Sequence, residues 1–146
     1  MKIQVASDHA AFEAKEVVVN FLRSQDIEVN DLGTHSPDRV DYPDYAVKLC
    51  KEVLKENSCG ILLCGSGIGV SIVANRFKGI RAALCRSVYD AEMSRKHNDA
   101  NVLCLGGRVN TDKEIIEMVE VWLSTAFEGQ RHADRLALFE NLGEEI

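Results

Sequence analysis

The sequence lacks any apolar stretch close to the roughly 20 residues that are needed to span a bilayer. Its first residues also lack the long apolar core of a signal peptide. Only two prolines occur among 146 residues, and 46% of the residues are apolar, so the composition argues against extended disorder. We therefore expect one folded domain, residues 1–146, with no membrane segment.

Positive charge is also scarce in this chain. Its 17 Lys and Arg residues are outnumbered by 23 Asp and Glu residues, which gives a formal net charge of −6. Such a chain repels nucleic acid and anionic membranes, so we expect neither as a partner. The five cysteines show neither a C-x-x-C pair nor the spacing of metal ligands. This pattern predicts free thiols, no bound metal and a cytoplasmic location.

Strand-like and helix-like segments alternate along the chain. Short apolar runs predict strands at residues 2–7, 27–32, 59–64, 80–85 and 101–105. Helical periodicity and capping signals, including the capping-box spacings Ser87-x-x-Asp90 and Thr111-x-x-Glu114, predict helices at 11–24, 43–56, 70–77, 87–97, 112–126 and 131–141. This alternation predicts an α/β fold, a Rossmann-like three-layer α/β/α sandwich around a five-stranded parallel sheet.

A glycine-rich turn, Cys64-Gly-Ser-Gly-Ile-Gly69, follows the third predicted strand. Glycines let backbone N–H groups approach a ligand, and the start of a helix adds partial positive charge. The spacing is neither the dinucleotide pattern G-x-G-x-x-G nor a P-loop, so the turn alone fits a structural turn and an anion site equally well. Cys64 alone is typical of a buried apolar residue, but the flanking glycines and Ser66 favour a reactive thiol.

Further polar residues follow the first and fifth predicted strands, namely Asp8-His9 and Gly106-Gly-Arg108. Ligands bind at the carboxyl ends of parallel strands, so we expect both groups to lie near the glycine-rich turn. Asp8 has a structural alternative as a helix N-cap. His97-Asn98 likewise resembles an ordinary helix end.

Two arginines, Arg131 and Arg135, lie four residues apart on one face of the last predicted helix. They stand out in an acidic chain, and paired guanidinium groups suit phosphate oxygens. A solvated helix face is an equally good interpretation of these two residues on physical grounds alone.

Seven motifs in order along the chain resemble the type B ribose-5-phosphate isomerase family, which also includes galactose-6-phosphate and allose-6-phosphate isomerases. They cover nearly the whole sequence and are Ser7-Asp-His-Ala10, Asp41-Tyr-Pro-Asp-Tyr-Ala46, Cys64-Gly-Ser-Gly-Ile-Gly69, Gly79-Ile-Arg-Ala82, His97-Asn-Asp-Ala-Asn101, Gly106-Gly-Arg108, and Gly129-Gln-Arg-His132 with Arg135. The resemblance implies isomerisation of ribose 5-phosphate and ribulose 5-phosphate through an enediol, a step of the pentose phosphate pathway. It implies no metal and no cofactor.

The resemblance also implies a homodimer or homotetramer whose active sites are shared between subunits, with His97 and Arg108 reaching in from the partner. Some members replace the cysteine with Gly and use a Glu a few residues further on. Cys64 is present here and residue 70 is Val, which is typical of the thiol-base branch. The implied catalytic residues are Cys64, His97, Ser66 and Asp8. The implied substrate-binding residues are Asp8, His9, Gly65, Ser66, Gly67, Ile68, Gly69, Asn98, Arg108, Arg131 and Arg135.

Two alternatives belong to other functional classes. A non-catalytic module that binds sugar phosphates would need the glycine-rich turn and the arginines, but neither His97 nor a reactive thiol. A thiol-redox protein fits poorly, because no C-x-x-C pair is present. Within the family, a hexose phosphate is the alternative substrate, because the motifs do not distinguish five-carbon from six-carbon sugars.

Overall fold

The computed structural model describes all residues, 1–146. Five parallel strands form one sheet with the order β2-β1-β3-β5-β4. The strands are β1 (Lys2–Ser7), β2 (Glu28–Asp31), β3 (Cys59–Cys64), β4 (Ala82–Leu84) and β5 (Val102–Gly106). The predicted five-stranded parallel sheet is therefore confirmed.

Helices cover both faces of this sheet. They are α1 (Phe12–Ser24), α2 (Tyr42–Glu56), α3 (Ile68–Ala74), α4 (Val88–Asn98), α5 (Asp112–Ser124) and α6 (Arg131–Ala137), and a 3₁₀ turn at His9–Ala11 precedes α1. Side chains of β3 alternate between the faces. Ile61 and Leu63 pack in one core with α1 and α5, whereas Leu62 and Cys64 pack in a second core with α2 and α3. The three-layer α/β/α arrangement is confirmed.

Several boundaries differ from the predicted ones for local reasons. β4 begins at Ala82 rather than at residue 80, because the N–H of Ile80 bonds to Phe77 in a turn and that of Arg81 bonds to the Asn101 side chain. α6 ends at Ala137 rather than near residue 141, because the following N–H groups bond to carbonyls three residues back. α3 begins two residues early, at Ile68.

The two predicted capping boxes have different outcomes. At α5, Thr111 accepts a bond from the N–H of Glu114 and Glu114 accepts one from the N–H of Thr111, so this capping box is confirmed. At α4, Ser87 caps the N–H of Asp90, but the Asp90 carboxylate accepts from Arg86 instead of Ser87. The second box is therefore only half formed.

A buried ion pair joins α1 to the end of β2. The Lys15 side chain is fully buried, and its Nζ atom lies 2.8 and 2.9 Å from the two carboxylate oxygens of Asp31. Asp31 also accepts a bond from the N–H of Gly33, whose carbonyl accepts from Ser7 at the end of β1. The ion pair therefore fixes the loop after β2 at the carboxyl edge of the sheet.

Helix α4 carries the chain back from the carboxyl edge of the sheet to its amino edge. It begins after β4 and ends at Asn98, shortly before β5 begins at Val102. A helix of 11 residues is about 16 Å long at 1.5 Å per residue. The last turn of α4, which contains His97, therefore lies at the opposite edge of the sheet from Cys64. No helix of the chain combines the length and apolarity that a bilayer crossing requires.

Candidate active site

A pocket of about 460 Å³ opens at the carboxyl edge of the sheet. We call it the thiol pocket, and it is lined by Asp8, His9, Ala10, Tyr42, Cys64, Gly65, Ser66, Gly69, Arg108 and Val109. The ends of β1, β3 and β5 supply most of this lining. The polar groups after these three strands therefore lie together, as their positions in the sequence predict.

Cys64 is positioned by the turn that follows β3. Its Sγ atom accepts a hydrogen bond from the N–H of Gly67 at 3.1 Å, a contact that stabilises a thiolate. Gly67 has a φ of +77°, and a Cβ atom at this position would lie 2.9 Å from the carbonyl carbon of Leu105. Only glycine fits both the backbone conformation and the close approach of β5, so the sequence of the turn fixes the donor at the sulfur atom.

Two backbone hydrogen bonds tie Arg108 to the same pocket. The N–H of Gly107 bonds to the carbonyl of Cys64 at 2.9 Å, and the N–H of Arg108 bonds to that of Gly65 at 3.0 Å. A Cβ atom on Gly65 would lie 3.5 Å from Nη1 of Arg108, so the guanidinium group lies beside the turn. The expectation that Arg108 reaches the site only from a partner subunit is wrong, because Arg108 lines its own chain's pocket.

The turn leaves a set of donors free. The backbone N–H groups of Gly65, Ser66 and Gly69 make no hydrogen bond within the protein. The Ser66 hydroxyl accepts from the N–H of Ile68 at 3.2 Å, which leaves its own hydrogen available. The N–H groups of Gly67 and Ile68 are used inside the turn, and neither residue lines the pocket. Gly67 and Ile68 therefore offer no free backbone N–H group to the pocket, and their contact with substrate stays a prediction.

Asp8 and His9 follow β1 and are oriented by backbone groups. One oxygen of Asp8 accepts from the N–H groups of Ala10 and Ala11, so the predicted helix-capping role is confirmed, and the other oxygen has no partner in the protein. Nδ1 of His9 lies 3.2 Å from both the N–H and the carbonyl oxygen of Val40. When Nδ1 accepts from that N–H, Nε2 carries the proton and is a donor for an anion.

Tyr42 is the main pocket residue that the predicted site residues omit. A Cβ atom on Gly69 would lie 2.7 Å from Cζ of Tyr42, so glycine at this position lets the aromatic ring cover the turn. The only signal in the sequence is the motif Asp41–Ala46, because a tyrosine at the start of a helix carries no charge or spacing pattern of its own.

The remaining predicted residues lie away from the thiol pocket. His97 is in the last turn of α4, and its ring stacks on that of His132 with a centroid distance of 4.3 Å and an angle of 17°. Arg131 and Arg135 are exposed on α6 and form no ion pair within the chain. None of these residues lines the thiol pocket, so one chain brings Cys64, Ser66 and Asp8 together but leaves His97 apart from them.

A larger groove of about 760 Å³ lies where α4 ends, between β4 and the C-terminal segment. It contains Asn98, Asp99, Phe139 and Leu142, but neither His97 nor the arginines of α6. Asn98 is thus separated from the thiol pocket as well. The chemistry of the chain lies in the smaller pocket, because that pocket holds the thiol and the free donors.

The other four thiols have the character of structural residues. All five cysteines are free, as predicted. Burial raises the pKa of Cys50 and of Cys85 to about 12, and it also raises the pKa values of Cys59 and Cys104. A thiol with so high a pKa is protonated near neutral pH and is a poor nucleophile. Cys64 is therefore the only thiol that lines a pocket with anion-binding donors.

His132 lies beside His97 in a position that keeps its ring neutral. Burial lowers the pKa of His132, and the nearby positive charge of Arg131 and the ring of His97 lower it further. The side chain is 7% exposed, and its Nε2 atom lies 3.9 Å from a carboxylate oxygen of Glu128. We call His97, Glu128 and His132 the imidazole cluster.

Comparison with known proteins identifies the family. The sequence matches the ribose/galactose isomerase family over residues 3–139. The chain belongs to this family. Ribose-5-phosphate isomerase B of Escherichia coli (strain K12) is 45% identical over 137 residues, which cover 92% of this chain and 91% of that protein.

Solved structures of the family share the fold. Ribose 5-phosphate isomerase B from Thermotoga maritima is 49% identical, with a TM-score of 0.94, over 97% of this chain and 98% of that chain. The enzyme from Mycoplasma genitalium with bound ribulose-5-phosphate is 40% identical, with a TM-score of 0.92, over 95% and 93% of the two chains. The resemblance of the motifs to the type B enzymes is therefore confirmed.

Proposed function

We propose that this protein interconverts ribose 5-phosphate and ribulose 5-phosphate through an enediol intermediate, in one domain that comprises residues 1–146. The observation that carries the proposal is the thiol pocket, in which one thiol and a set of unpaired N–H groups meet at the carboxyl edge of the sheet. Relatives of similar length act on ribose 5-phosphate, and one family structure contains ribulose-5-phosphate. The five free thiols favour a reducing, cytoplasmic location.

Cys64 is the base in this mechanism. Its thiolate removes the proton from the carbon next to the carbonyl group, and the electron pair of that C–H bond forms the enediolate. The thiol then returns the proton to the neighbouring carbon, so no proton or electron is gained or lost overall. The N–H of Gly67, which donates to Sγ, stabilises the thiolate before the transfer.

The charge that develops on the sugar oxygens is stabilised by the turn. The free N–H groups of Gly65, Ser66 and Gly69, with the Ser66 hydroxyl, form an oxyanion site in this proposal. The unpaired carboxylate oxygen of Asp8 moves a proton between the two oxygens of the enediol, because its other oxygen is already held by backbone donors.

The phosphate and the closed sugar ring require residues from two subunits. His9 and Arg108 bind the phosphate from the thiol pocket. His97 opens the ring as a proton donor, Asn98 binds sugar oxygens, and Arg131 and Arg135 complete the phosphate site. Because α4 and α6 place these four residues outside the thiol pocket, they belong to a partner subunit in this proposal, as in a homodimer or a homotetramer built from such dimers.

Exposed apolar side chains beside both groups of residues support this assembly. Ile68 and Ile72 on α3 are 46% and 62% exposed near the thiol pocket, and Leu138 after α6 is 84% exposed. Large side chains of this kind are typical of contact surfaces between chains. Contact between such surfaces would bring His97 of one chain to the thiol pocket of the other.

The first test measures initial rates of the purified protein on ribose 5-phosphate, allose 6-phosphate and galactose 6-phosphate in the presence of EDTA. We expect fast turnover of the pentose phosphate and little of either hexose phosphate. A preference for a hexose phosphate would change the substrate within the family. No turnover of any of the three would refute the proposed activity for this chain alone.

The thiol assignment has its own test. Cys64→Ala is expected to lower kcat by about 10²–10⁴-fold, which is the usual contribution of a positioned base. Cys59→Ala is the matched control, because that thiol is half-buried outside the pocket. Equal activity of the two variants, with unchanged circular dichroism, would refute Cys64 as the base.

The phosphate assignment predicts a different kinetic effect. Arg131→Ala is expected to raise KM with a smaller change in kcat, because it removes a contact made by both the substrate and the transition state. Arg23→Ala on α1 is the control, since Arg23 is exposed and makes no side-chain hydrogen bond. An unchanged KM in Arg131→Ala would mean that Arg131 is an ordinary surface cation.

A further inference from the structure

The imidazole cluster contains a buried nitrogen atom that no protein group satisfies. Nε2 of His132 is inaccessible to solvent and has no hydrogen-bond partner. The nearest carboxylate oxygen, on Glu128, is 3.9 Å away, which is too far for a hydrogen bond. A buried polar atom without a partner is rare and costs free energy, so a ligand at this position would be stabilising.

The three side chains of the cluster offer ligand atoms that converge. One nitrogen each from His97 and His132 and one carboxylate oxygen of Glu128 all lie within 4.8 Å of one another. Ligand atoms of a tetrahedral zinc ion stand about 3.4 Å apart, because Zn–N and Zn–O bonds are about 2.0–2.2 Å long. Glu128 and His97 are both partly exposed, so side-chain rotation is enough to close the difference.

The backbone holds the ligands in this arrangement. The N–H of Glu128 bonds to the carbonyl of Lys96 at 3.1 Å, which fixes the loop before α6 against the last turn of α4 next to His97. The N–H of His132 bonds to the carbonyl of Gly129, so His132 follows in the first turn of α6. The fold therefore holds the three residues next to one another, and side-chain rotation sets the final distances between the ligand atoms.

We propose that His97, Glu128 and His132 form a three-ligand site for a zinc-like transition metal ion. Two imidazoles and one carboxylate are a ligand set that is typical of zinc, with a fourth position open to water. Mg²⁺ prefers oxygen ligands and several bound waters, so a site with two imidazole nitrogens disfavours it. The sequence analysis predicted no metal because the ligands come from two separate elements.

The consequence for activity rests on the proposed function. His97 cannot donate a proton during ring opening while its ring nitrogen binds a metal ion. Occupation of the site is therefore expected to inhibit isomerisation, and EDTA is expected to reverse the inhibition. Metal-free turnover and metal binding thus compete for the same imidazole group.

The test is calorimetric titration of the full-length protein with ZnCl₂ and, separately, MgCl₂. We expect one Zn²⁺ per chain, no Mg²⁺ binding, and at least about 10-fold weaker Zn²⁺ binding in Glu128→Gln. The matched control is Glu120→Gln, an exposed carboxylate of α5 outside the cluster, which is expected to bind Zn²⁺ like the unaltered protein. The absence of stoichiometric binding would overturn the proposal, as would binding that depends on Cys64 but not on Glu128.

Turnover of ribose 5-phosphate is the second measurement. Zn²⁺ is expected to inhibit the unaltered protein. Inhibition of Glu128→Gln is expected to require at least about 10-fold more Zn²⁺, and the turnover of this variant without metal should be unchanged. If Zn²⁺ binds stoichiometrically and Glu128→Gln loses this binding, the metal site is confirmed whatever the activity shows. Turnover that is insensitive to the bound metal would then contradict only the role of His97 in the proposed function.

Discussion

Complementation between two inactive variants tests the proposed sharing of sites most directly. The perturbations are Cys64→Ala and His97→Ala, introduced into separate chains. Cys64 ends β3 at the carboxyl edge of the sheet, and His97 lies in the last turn of α4 at the amino edge. The length of α4, about 16 Å, is far beyond any hydrogen-bond distance, so the two groups of one chain cannot act on one substrate.

The expected magnitude follows from counting sites. In a shared-site dimer, each site takes Cys64 from one chain and His97 from the other. Random mixing of equal amounts gives about half mixed dimers, and a mixed dimer has one site with both groups intact and one with both removed. About one quarter of all sites is then functional, so the mixture should reach about one quarter of the unaltered activity.

The assay is the rate of ribulose 5-phosphate formation after the variants are unfolded together, refolded and reassembled. Each variant refolded alone is the baseline, and mass spectrometry of differently tagged chains measures how many mixed dimers form. Activity that stays at the baseline although half of the dimers are mixed would refute the shared-site reasoning. A recovery that follows the fraction of mixed dimers would support it.

Three further predictions concern reactivity and stability. Iodoacetamide is expected to modify Cys64 before the other four thiols, whose pKa values are raised by burial, and ribose 5-phosphate should slow the reaction; earlier modification of another thiol, detected by mass spectrometry, would contradict this. Lys15→Met leaves the Asp31 carboxylate largely buried without its partner, so urea denaturation should show a loss of about 3–5 kcal/mol that Lys15→Met/Asp31→Leu partly restores. A loss below about 1 kcal/mol would mean that the pair behaves like an exposed one. The capping-box bonds lower the pKa of Glu114, so their stabilisation is complete above its ordinary value of 4.5 and is lost as the pH falls through the lower value in the folded state. The difference in stability between Glu114→Ala and the unaltered protein should therefore shrink on acidification, and a difference that grows would contradict the assignment.

The parts of the fold that the sequence predicts well are those that depend on local pattern. The bounds of β1 and β3 agree residue for residue with the predicted ones, because both segments are rich in apolar residues and each is followed by a polar or glycine-rich segment. The strand predicted at 80–85 is shortened at both ends to Ala82–Leu84, and its start is set by side-chain bonds to Asn75 and Asn101 that no pattern in the sequence shows.

The candidate site also has one part that the sequence predicts and one part that it does not. The thiol pocket could be predicted, because its polar residues come directly after strands whose carboxyl ends meet at one edge. The separation of His97 from Cys64 follows only from the direction and length of α4, and the approach of Glu128 and His132 to His97 follows only from the loop that packs on Lys96. Contacts between distant elements of this kind leave no periodic signal in a single sequence.

The direction of α4 also affects how the protein responds to its own concentration. If Cys64 and His97 of one chain serve different sites, a dissociated chain has every catalytic group but no complete site. Specific activity would then fall on dilution with the dissociation constant of the assembly, although each chain stays folded. The flux through the reaction would then depend on the concentration of the chains, which sets how many are assembled, as well as on their number.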